Sequence, residues 1–250
     1  MSYSLLKVLY RKLCSVLILS NAYTIQPDPF NMMRNLARES CGKATYLLML
    51  DADLEVFGNI VSLSLAYSSL LERIPEAVVV IPTFELDKKM SSLWSNADEL
   101  SAPYATKEGI HSLWNAGVAH PFNGESFPAG HRATNFTRWF TSESEYIAEY
   151  EAGYEPYLLL RSSIKIQFDE SFVGFGYDKV SFIMELQAAG YKFVVFPMIY
   201  AVSTHVHEHR LVAQLKDKEV STTTGLPCPT DLNGGFNRNI IGGNLYKFMQ

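Results

Sequence analysis

The sequence predicts an α/β fold, with a mixed, mostly parallel sheet flanked by helices, and three observations carry that expectation. Continuous apolar runs at 46–50 (YLLML), 77–81 (AVVVI) and 192–197 (KFVVFP) have the length of strands buried on both faces. Segments with helical spacing of apolar residues separate them, at 30–40, 58–73 and 180–189. Strand, helix and strand also follow one another between Cys14 and Leu50, about the forty residues of a βαβ unit.

Taken in order, residues 1–12 combine Leu5, Leu6, Val8 and Leu9 with Lys7, Arg11 and Lys12, which reads as a short amphipathic helix or extension. Residues 14–19 suit a first strand. Asp28 is a candidate N-cap with Pro29 at the first helical position, and Met32, Met33, Leu36 and Ala37 give the following helix one apolar side. The strand at 46–50 ends in Asp51 and Asp53, and a helix over 58–73 follows. The run 77–81, stopped by Pro82, is the clearest buried strand. From 88 to 141 the pattern weakens and Ser, Asn, Gly and Pro are frequent, although Trp94, Trp114 and Trp139 all fall here. A stretch of that length is usually functional, such as a lid that binds an acceptor. A strand at 157–161, a glycine-punctuated loop at 168–179, a helix at 180–189 with Gly190 at its C-cap, and a strand at 192–197 complete the pattern. Residues 13–215 are therefore expected to form one folded domain, with 216–250 as a peripheral tail.

The chain has 250 residues, 48% of them hydrophobic, enough to bury a large core. Its formal net charge of -5 and the lack of a basic run argue against nucleic acid as a partner. Cys14, Cys41 and Cys228 form no Cys-x-x-Cys pair, and any disulfide among them leaves one thiol over. Asn135, Phe136 and Thr137 form the sole N-glycosylation sequon, a hint of a secretory route. The apolar run at 13–20 is shorter than the roughly 20 residues of a membrane span and reads better as a buried strand than as a signal segment.

Three features carry chemistry. Asp51 and Asp53 end a buried strand, at the edge where open α/β sheets bind ligands, and offer two hard oxygen donors to Mn²⁺ or Mg²⁺. The competing explanation is that the acidic pair caps the next helix. Near the last strand, His205, His207 and His209 alternate, so an extended chain would present them on one face, and an imidazole with two carboxylates suits Mn²⁺. Around 172–179, Gly174 and Gly176 let the backbone approach a ligand closely, and Asp178 stands at a helix start, where it either deprotonates a hydroxyl or simply caps the helix.

Several blocks resemble a known family in order and spacing: GHRATNFTRW at 130–139, YEAGYEPY at 150–157, FVGFG at 172–176 and IMEL at 183–186. PFNMMRNLAR at 29–38 and VVIPTFE at 79–85 extend the likeness. Together they resemble the glucuronyltransferase domain of LARGE-like proteins, glycosyltransferase family 49, which also includes a β-1,4-glucuronyltransferase. The resemblance spans roughly residues 27–200 and is far more specific than the acidic pair alone.

It implies a GT-A fold and an inverting glycosyltransferase that moves a sugar, glucuronate among the candidates, from a UDP-sugar to a hydroxyl of a glycan or glycoprotein acceptor. The implied cofactor is Mn²⁺ or Mg²⁺ on Asp51 and Asp53, a Lewis acid for the diphosphate leaving group. Asn31 and Arg34 are implied to meet the nucleotide. Asp178 is the implied base, with Glu155 the alternative, and Trp139, Tyr154 and His131, with Gly174 and Gly176, are implied to line the sugar site. An ungapped carry-over puts Ser203 at the family's histidine ligand position; a shift of two residues brings in His205, which is favoured, with His207 second. Family members have more chain before the helix at Phe30, so an N-terminally truncated GT-A domain is expected. The implied location is the Golgi lumen or membrane. Two other readings compete: a metallohydrolase built on the histidine cluster, with His111, His120 and His131 as further ligands, and a non-catalytic carbohydrate-binding protein. Oligomeric state has no signature in the sequence.

Overall fold

The computed structural model describes residues 13–14, 29–41, 44–51, 53–87, 102–172 and 176–203. The expected helix at 1–12, the tail at 216–250, Trp94, Gly174, His205 and His207 lie outside the described residues. Everything described belongs to one compact unit, Met1–Val206.

In chain order the elements are β1 (Leu13–Cys14), α1 (Phe30–Ser40), β2 (Tyr46–Met49), β3 (Leu54–Gly58), α2 (Ile60–Arg73), β4 (Ala77–Ile81), β5 (Thr83–Leu86) and α3 (Lys107–Asn115). They continue with β6 (Ala119–Pro121), α4 (Phe136–Thr141), β7 (Tyr146–Ala148), β8 (Tyr157–Arg161), α5 (Asp178–Ala188), β9 (Lys192–Val195) and β10 (Ile199–Ser203). A six-stranded sheet has the order β1-β2-β8-β4-β9-β7, and a four-stranded sheet the order β3-β10-β5-β6.

The α/β class stands, and so does the βαβ unit: β1 and β2 pair in parallel, Leu13 opposite Tyr46, with α1 between them in sequence. The balance of strand directions differs from the expected mostly parallel sheet. Among the described residues parallel pairing joins β1 to β2, β4 to β9 and β5 to β10, while the other five pairings are antiparallel. The cause is local. Strand β8 runs back between β2 and β4, antiparallel to both, so the two strands of the sequence-level pattern are separated by a third.

Burial on both faces explains why the central strands read as unbroken apolar runs. On β4, Val78 and Val80 enter one core cluster while Ala77, Val79 and Ile81 enter the other; on β8, Leu158 and Leu160 part in the same way from Tyr157 and Leu159. Helix α2 covers one face with Leu63, Tyr67 and Leu70. Helix α5 belongs to the other cluster through Phe182, Ile183 and Leu186.

The residues expected to be a lid are largely structured. Residues 107–141 supply α3, β6 and α4, and Phe84, Trp114, Phe136, Trp139 and Phe140 form an aromatic cluster with edge and tilted contacts around Phe84 at 5.0 to 6.2 Å. Such contacts favour the offset and T-shaped geometries that ring quadrupoles prefer.

Two sequence expectations need correction at helix starts. Pro29 occupies the N-cap position of α1 rather than its first turn, and Asp28 is outside the described residues. The helix expected from residue 58 starts at Ile60, because Leu54–Gly58 is a strand paired with β10. Gly58 is required there: its φ is +109°, and a Cβ would lie 2.2 Å from the Met198 carbonyl oxygen. Asn59 caps α2, accepting a hydrogen bond on its side-chain oxygen from Ser62 N–H at 2.9 Å. Asn59→Ala is expected to lower unfolding stability by about 1 kcal/mol, readable as a shifted urea midpoint with an unchanged slope.

Candidate active site

Asp51 and Asp53 do not cap a helix. They stand in the connection between β2 and β3, where Leu54 N–H donates to the Asp51 carbonyl at 3.3 Å. The antiparallel register of β2 and β8, Met49 opposite Leu158, brings the start of β8 beside the end of β2. Glu155 and Tyr157 therefore arrive next to Asp51, although more than a hundred residues intervene. Ile81 at the end of β4 lies opposite Tyr157.

The Tyr157 hydroxyl donates to Asp51 Oδ2 at 2.5 Å, and the Lys179 ammonium donates to the same oxygen at 3.2 Å. Lys179 also reaches Glu155 Oε1 at 3.0 Å and lies 4.8 Å from the centre of the Tyr157 ring. One ammonium thus joins two carboxylates, with side-chain exposures of 18% for Lys179, 40% for Asp51 and 21% for Glu155. Charge balance governs the ionisation. Burial pushes Asp51 up, but the Lys179 charge, the Tyr157 and Lys179 hydrogen bonds and Arg34 together hold it below the usual carboxylate range. Burial alone would push the Lys179 ammonium down, yet Tyr157, Asp51 and Glu155 raise it well above its ordinary value.

His131 stacks on Tyr157 at 5.8 Å between ring centres and meets the Phe122 ring edge-on. It is 5% exposed, and burial, with the Lys179 charge, pushes it down to about 3 against the opposing pull of Asp51. The imidazole is therefore neutral at pH 7. His131, expected in the sugar wall, is packed behind Tyr157 and buried. Glu155 N–H donates to the Gly130 carbonyl at 2.8 Å, which fixes this segment against β8.

Helix α1 contributes a polar stripe. Asn31, Arg34, Asn35 and Arg38 recur at helical spacing, and all four hold the chain between 164 and 178. Asn31 is 0% exposed and donates to the carbonyls of Asp169 and Asp178, at 2.8 and 3.1 Å. Its amide donors are committed to the protein rather than offered to a nucleotide. Arg34 Nη1 bonds Asn31 Oδ1 at 2.8 Å and Asp178 Oδ2 at 2.6 Å. Its guanidinium nevertheless lines a cavity of about 90 Å³, together with Arg38, Leu50, Asp51, Tyr157 and Lys179. Asp178 opens α5, is 7% exposed and has its carboxylate in the Arg34 ion pair.

Other expected site residues are placed differently. Trp139 and Tyr154 are both 0% exposed. The Trp139 indole N–H donates to the Phe196 carbonyl at 3.1 Å, and the Tyr154 hydroxyl pairs with Thr134 Oγ1 at 3.0 Å. Neither ring shows a face on which a sugar could stack; both belong to the core. Gly176 has φ +111° and open space around the position of a Cβ. Tyr157 and Lys179 are the site residues that sequence reasoning missed.

Asp51 and Asp53 suit a hard divalent cation: two carboxylates, one residue apart, at the end of a strand. The Lys179 ammonium on Asp51 Oδ2 marks that position as one that holds positive charge. Among the described residues no group of three or more His, Cys, Asp and Glu side chains stands ready to hold a metal ion, and His205 and His207 are outside the described residues. The further histidines named for a metallohydrolase are dispersed, His111 stacking on Phe140 at 4.4 Å, His120 exposed on β6 and His131 buried behind Tyr157, while its primary cluster, His205, His207 and His209, lies outside the described residues.

Comparison with known proteins adds a second line of argument. The family model described as "Glycosyl-transferase for dystroglycan" matches residues 8–223. The chain is 32% identical over 175 residues to the xylosyl- and glucuronyltransferase LARGE1 of Gallus gallus, covering 70% of this chain and 22% of that protein. It is 31% identical over 182 residues to LARGE1 of Homo sapiens, with 70% and 22% covered, and 30% identical over 183 residues to the glycosyltransferase-like protein LARGE of Caenorhabditis elegans, with 70% and 26% covered. The chain thus spans about a quarter or less of the length of these relatives.

Proposed function

Since the chain belongs to the glycosyltransferase family described as acting on dystroglycan, we propose that it transfers a sugar from a UDP-sugar to a glycan hydroxyl at the Asp51 end of β2. The observation that carries this reading is the convergence on one ammonium of Asp51, from the acidic pair, and Glu155, from the block YEAGYEPY. Xylose and glucuronate are the donor sugars to try first, because the vertebrate relatives are named as xylosyl- and glucuronyltransferases.

Asp51 and Asp53 would hold Mn²⁺ or Mg²⁺, which when bound supplies Lewis-acid stabilisation of the departing diphosphate. Arg34 and Lys179 place two further cations on the cavity wall, where negative charge develops in the transition state. We assign the base to Glu155. It takes the proton of the acceptor hydroxyl as that oxygen bonds to the anomeric carbon, while the bond from that carbon to the diphosphate oxygen breaks on the opposite face. This is the inverting course. Asp178, sequestered by Arg34, instead fixes the start of α5 and so aims Lys179.

A glycan or glycoprotein acceptor and a Golgi location belong to the same proposal. Cys41 is disulfide-bonded, and Asn135 of the sequon is exposed, both in keeping with a secretory route. No helix among the described residues is long and apolar enough to cross a membrane.

The test is UDP release by the full chain from UDP-xylose and UDP-glucuronate, with an acceptor saccharide and Mn²⁺. The expected result is turnover that EDTA abolishes and that Asp51→Asn reduces by about a hundredfold or more. Turnover indifferent to both would reject the assignment of this site.

A further inference from the structure

Both hydrogen bonds that Asp51 accepts from described residues end on Oδ2, one from a neutral phenol and one from an ammonium. This asymmetry has a consequence for cation binding. A carboxylate pinned through one oxygen cannot rotate freely about its Cβ–Cγ bond, so its other oxygen is held ready. Tyr157 is well suited to do the pinning, because its ring is 3% exposed, stacked by His131 on one side and met by Phe122 at its edge. Lys179 is a different kind of partner. It brings a full positive charge to the carboxylate oxygen beside the one a divalent cation would take, and its bond to Asp51 is the longer of its two ion pairs, 3.2 against 3.0 Å. A cation arriving at Asp51 repels it, and Glu155 is already in position to keep it.

Building on the metal reading above, we propose that Tyr157 and Lys179 are positioning residues with opposite effects on the cation: Tyr157 fixes Asp51 so that Oδ1 is presented to it, while Lys179 is a resident counter-charge that it must displace toward Glu155. Without a divalent cation, the ammonium balances two neighbouring carboxylates and keeps the apo site from carrying uncompensated charge. With the cation bound, Lys179 leaves Asp51 for Glu155, so occupancy of the cation site and placement of the candidate base are linked through one side chain. Partners of ligating carboxylates commonly act in this way, orienting the donor and setting its strength.

The two roles separate in a titration of the full chain with Mn²⁺ alone, following the free ion by electron paramagnetic resonance. Tyr157→Phe keeps the ring and removes the hydroxyl; it is expected to weaken Mn²⁺ binding about tenfold. Lys179→Met keeps the stem and removes the charge; it is expected to tighten binding about tenfold by removing a nearby like charge. Lys179→Arg retains the charge and should stay within about twofold of the wild type, and it serves if the methionine variant fails to fold. Circular dichroism melts confirm that each variant is folded. Asp51→Ala separates the two levels of the argument. If wild type and Asp51→Ala bind Mn²⁺ equally, or neither binds, the metal reading itself is wrong. If Asp51→Ala loses binding but Tyr157→Phe and Lys179→Met leave it unchanged, or both weaken it, the opposed roles are refuted while the metal site stands. With the arginine variant alone, a tenfold change in either direction would refute the counter-charge role.

Discussion

Glu155→Gln is expected to lower turnover at saturating donor by about a hundredfold or more, with UDP binding weaker, because Lys179 loses its second carboxylate, but still dependent on Mn²⁺. The substitution preserves shape and removes the ability to take a proton. Glu155 is held at 3.0 Å by Lys179, its backbone N–H is anchored on Gly130, and its side chain is 21% exposed, enough to meet an acceptor. Asp178→Asn provides the contrast. That carboxylate lies in a 2.6 Å ion pair with Arg34, with a side-chain exposure of 10%, so its neutralisation should act through stability and the placement of α5. The two variants are compared by kcat at saturating donor and acceptor, beside their melting curves. A fully folded Asp178→Asn with no turnover, next to an active Glu155→Gln, would transfer the role of base to Asp178.

Arg34→Ala is expected to destabilise the fold by about 3 kcal/mol, the largest stability effect we assign to a single side chain here. The arginine joins α1 to the first residue of α5 through Asp178 and also donates to Asn31 Oδ1. Removing it leaves a buried carboxylate without its counter-ion and an amide oxygen without its donor, and both losses are incurred in an environment that water reaches poorly. The guanidinium also lies 5.4 Å from the Phe168 ring centre, a contact that the methyl group cannot replace. Denaturant unfolding measures the loss. The double variant Arg34→Ala with Asp178→Asn should regain part of it, because the uncompensated charge is then gone; no recovery would mean that the ion pair is not the source of the effect.

The fold was legible where burial is complete. Strands β4, β8 and β9 lie in the middle of the six-stranded sheet with neighbours on both faces, and their sequences are accordingly unbroken apolar runs. Strand β3 was not legible. Leu54, Glu55, Val56 and Phe57 are all only half-buried, so their alternation is shallow, and the pairing with β10 that defines the strand is made with residues far along the chain. Aromatic residues of the recognised blocks misled for a related reason. Trp139 and Tyr154 stand in segments shared with sugar-transferring proteins, yet a large ring with one polar handle suits a core as well as a binding wall, and here Phe196 and Thr134 take those handles.

Within the site, Asp51 and Asp53 were visible because carboxylates at the end of a buried run are conspicuous. Tyr157 and Lys179 were not, since they lie 106 and 128 residues from Asp51 and have no local pattern. Helix α1 did carry a signal that could have been used. Asn31, Arg34, Asn35 and Arg38 form a polar stripe on one helix face, and all four bond residues more than a hundred positions away within the protein, Arg34 through Asp178. A polar stripe of that kind implies a buried clamp as readily as a ligand contact. The inference from resemblance chose the ligand; in the structure the stripe holds the chain between 164 and 178, while Arg34 also lines the cavity.

The central claim is that the Asp51 end of β2 holds a nucleotide sugar through a divalent cation. Isothermal calorimetry of UDP binding to the full chain, with and without Mn²⁺, tests it most directly, with Asp53→Ala measured beside the wild type. The predicted result is UDP binding that requires Mn²⁺ and disappears in Asp53→Ala, while the variant keeps the wild-type melting curve. UDP binding of equal strength without Mn²⁺, or undiminished in Asp53→Ala, would contradict the account.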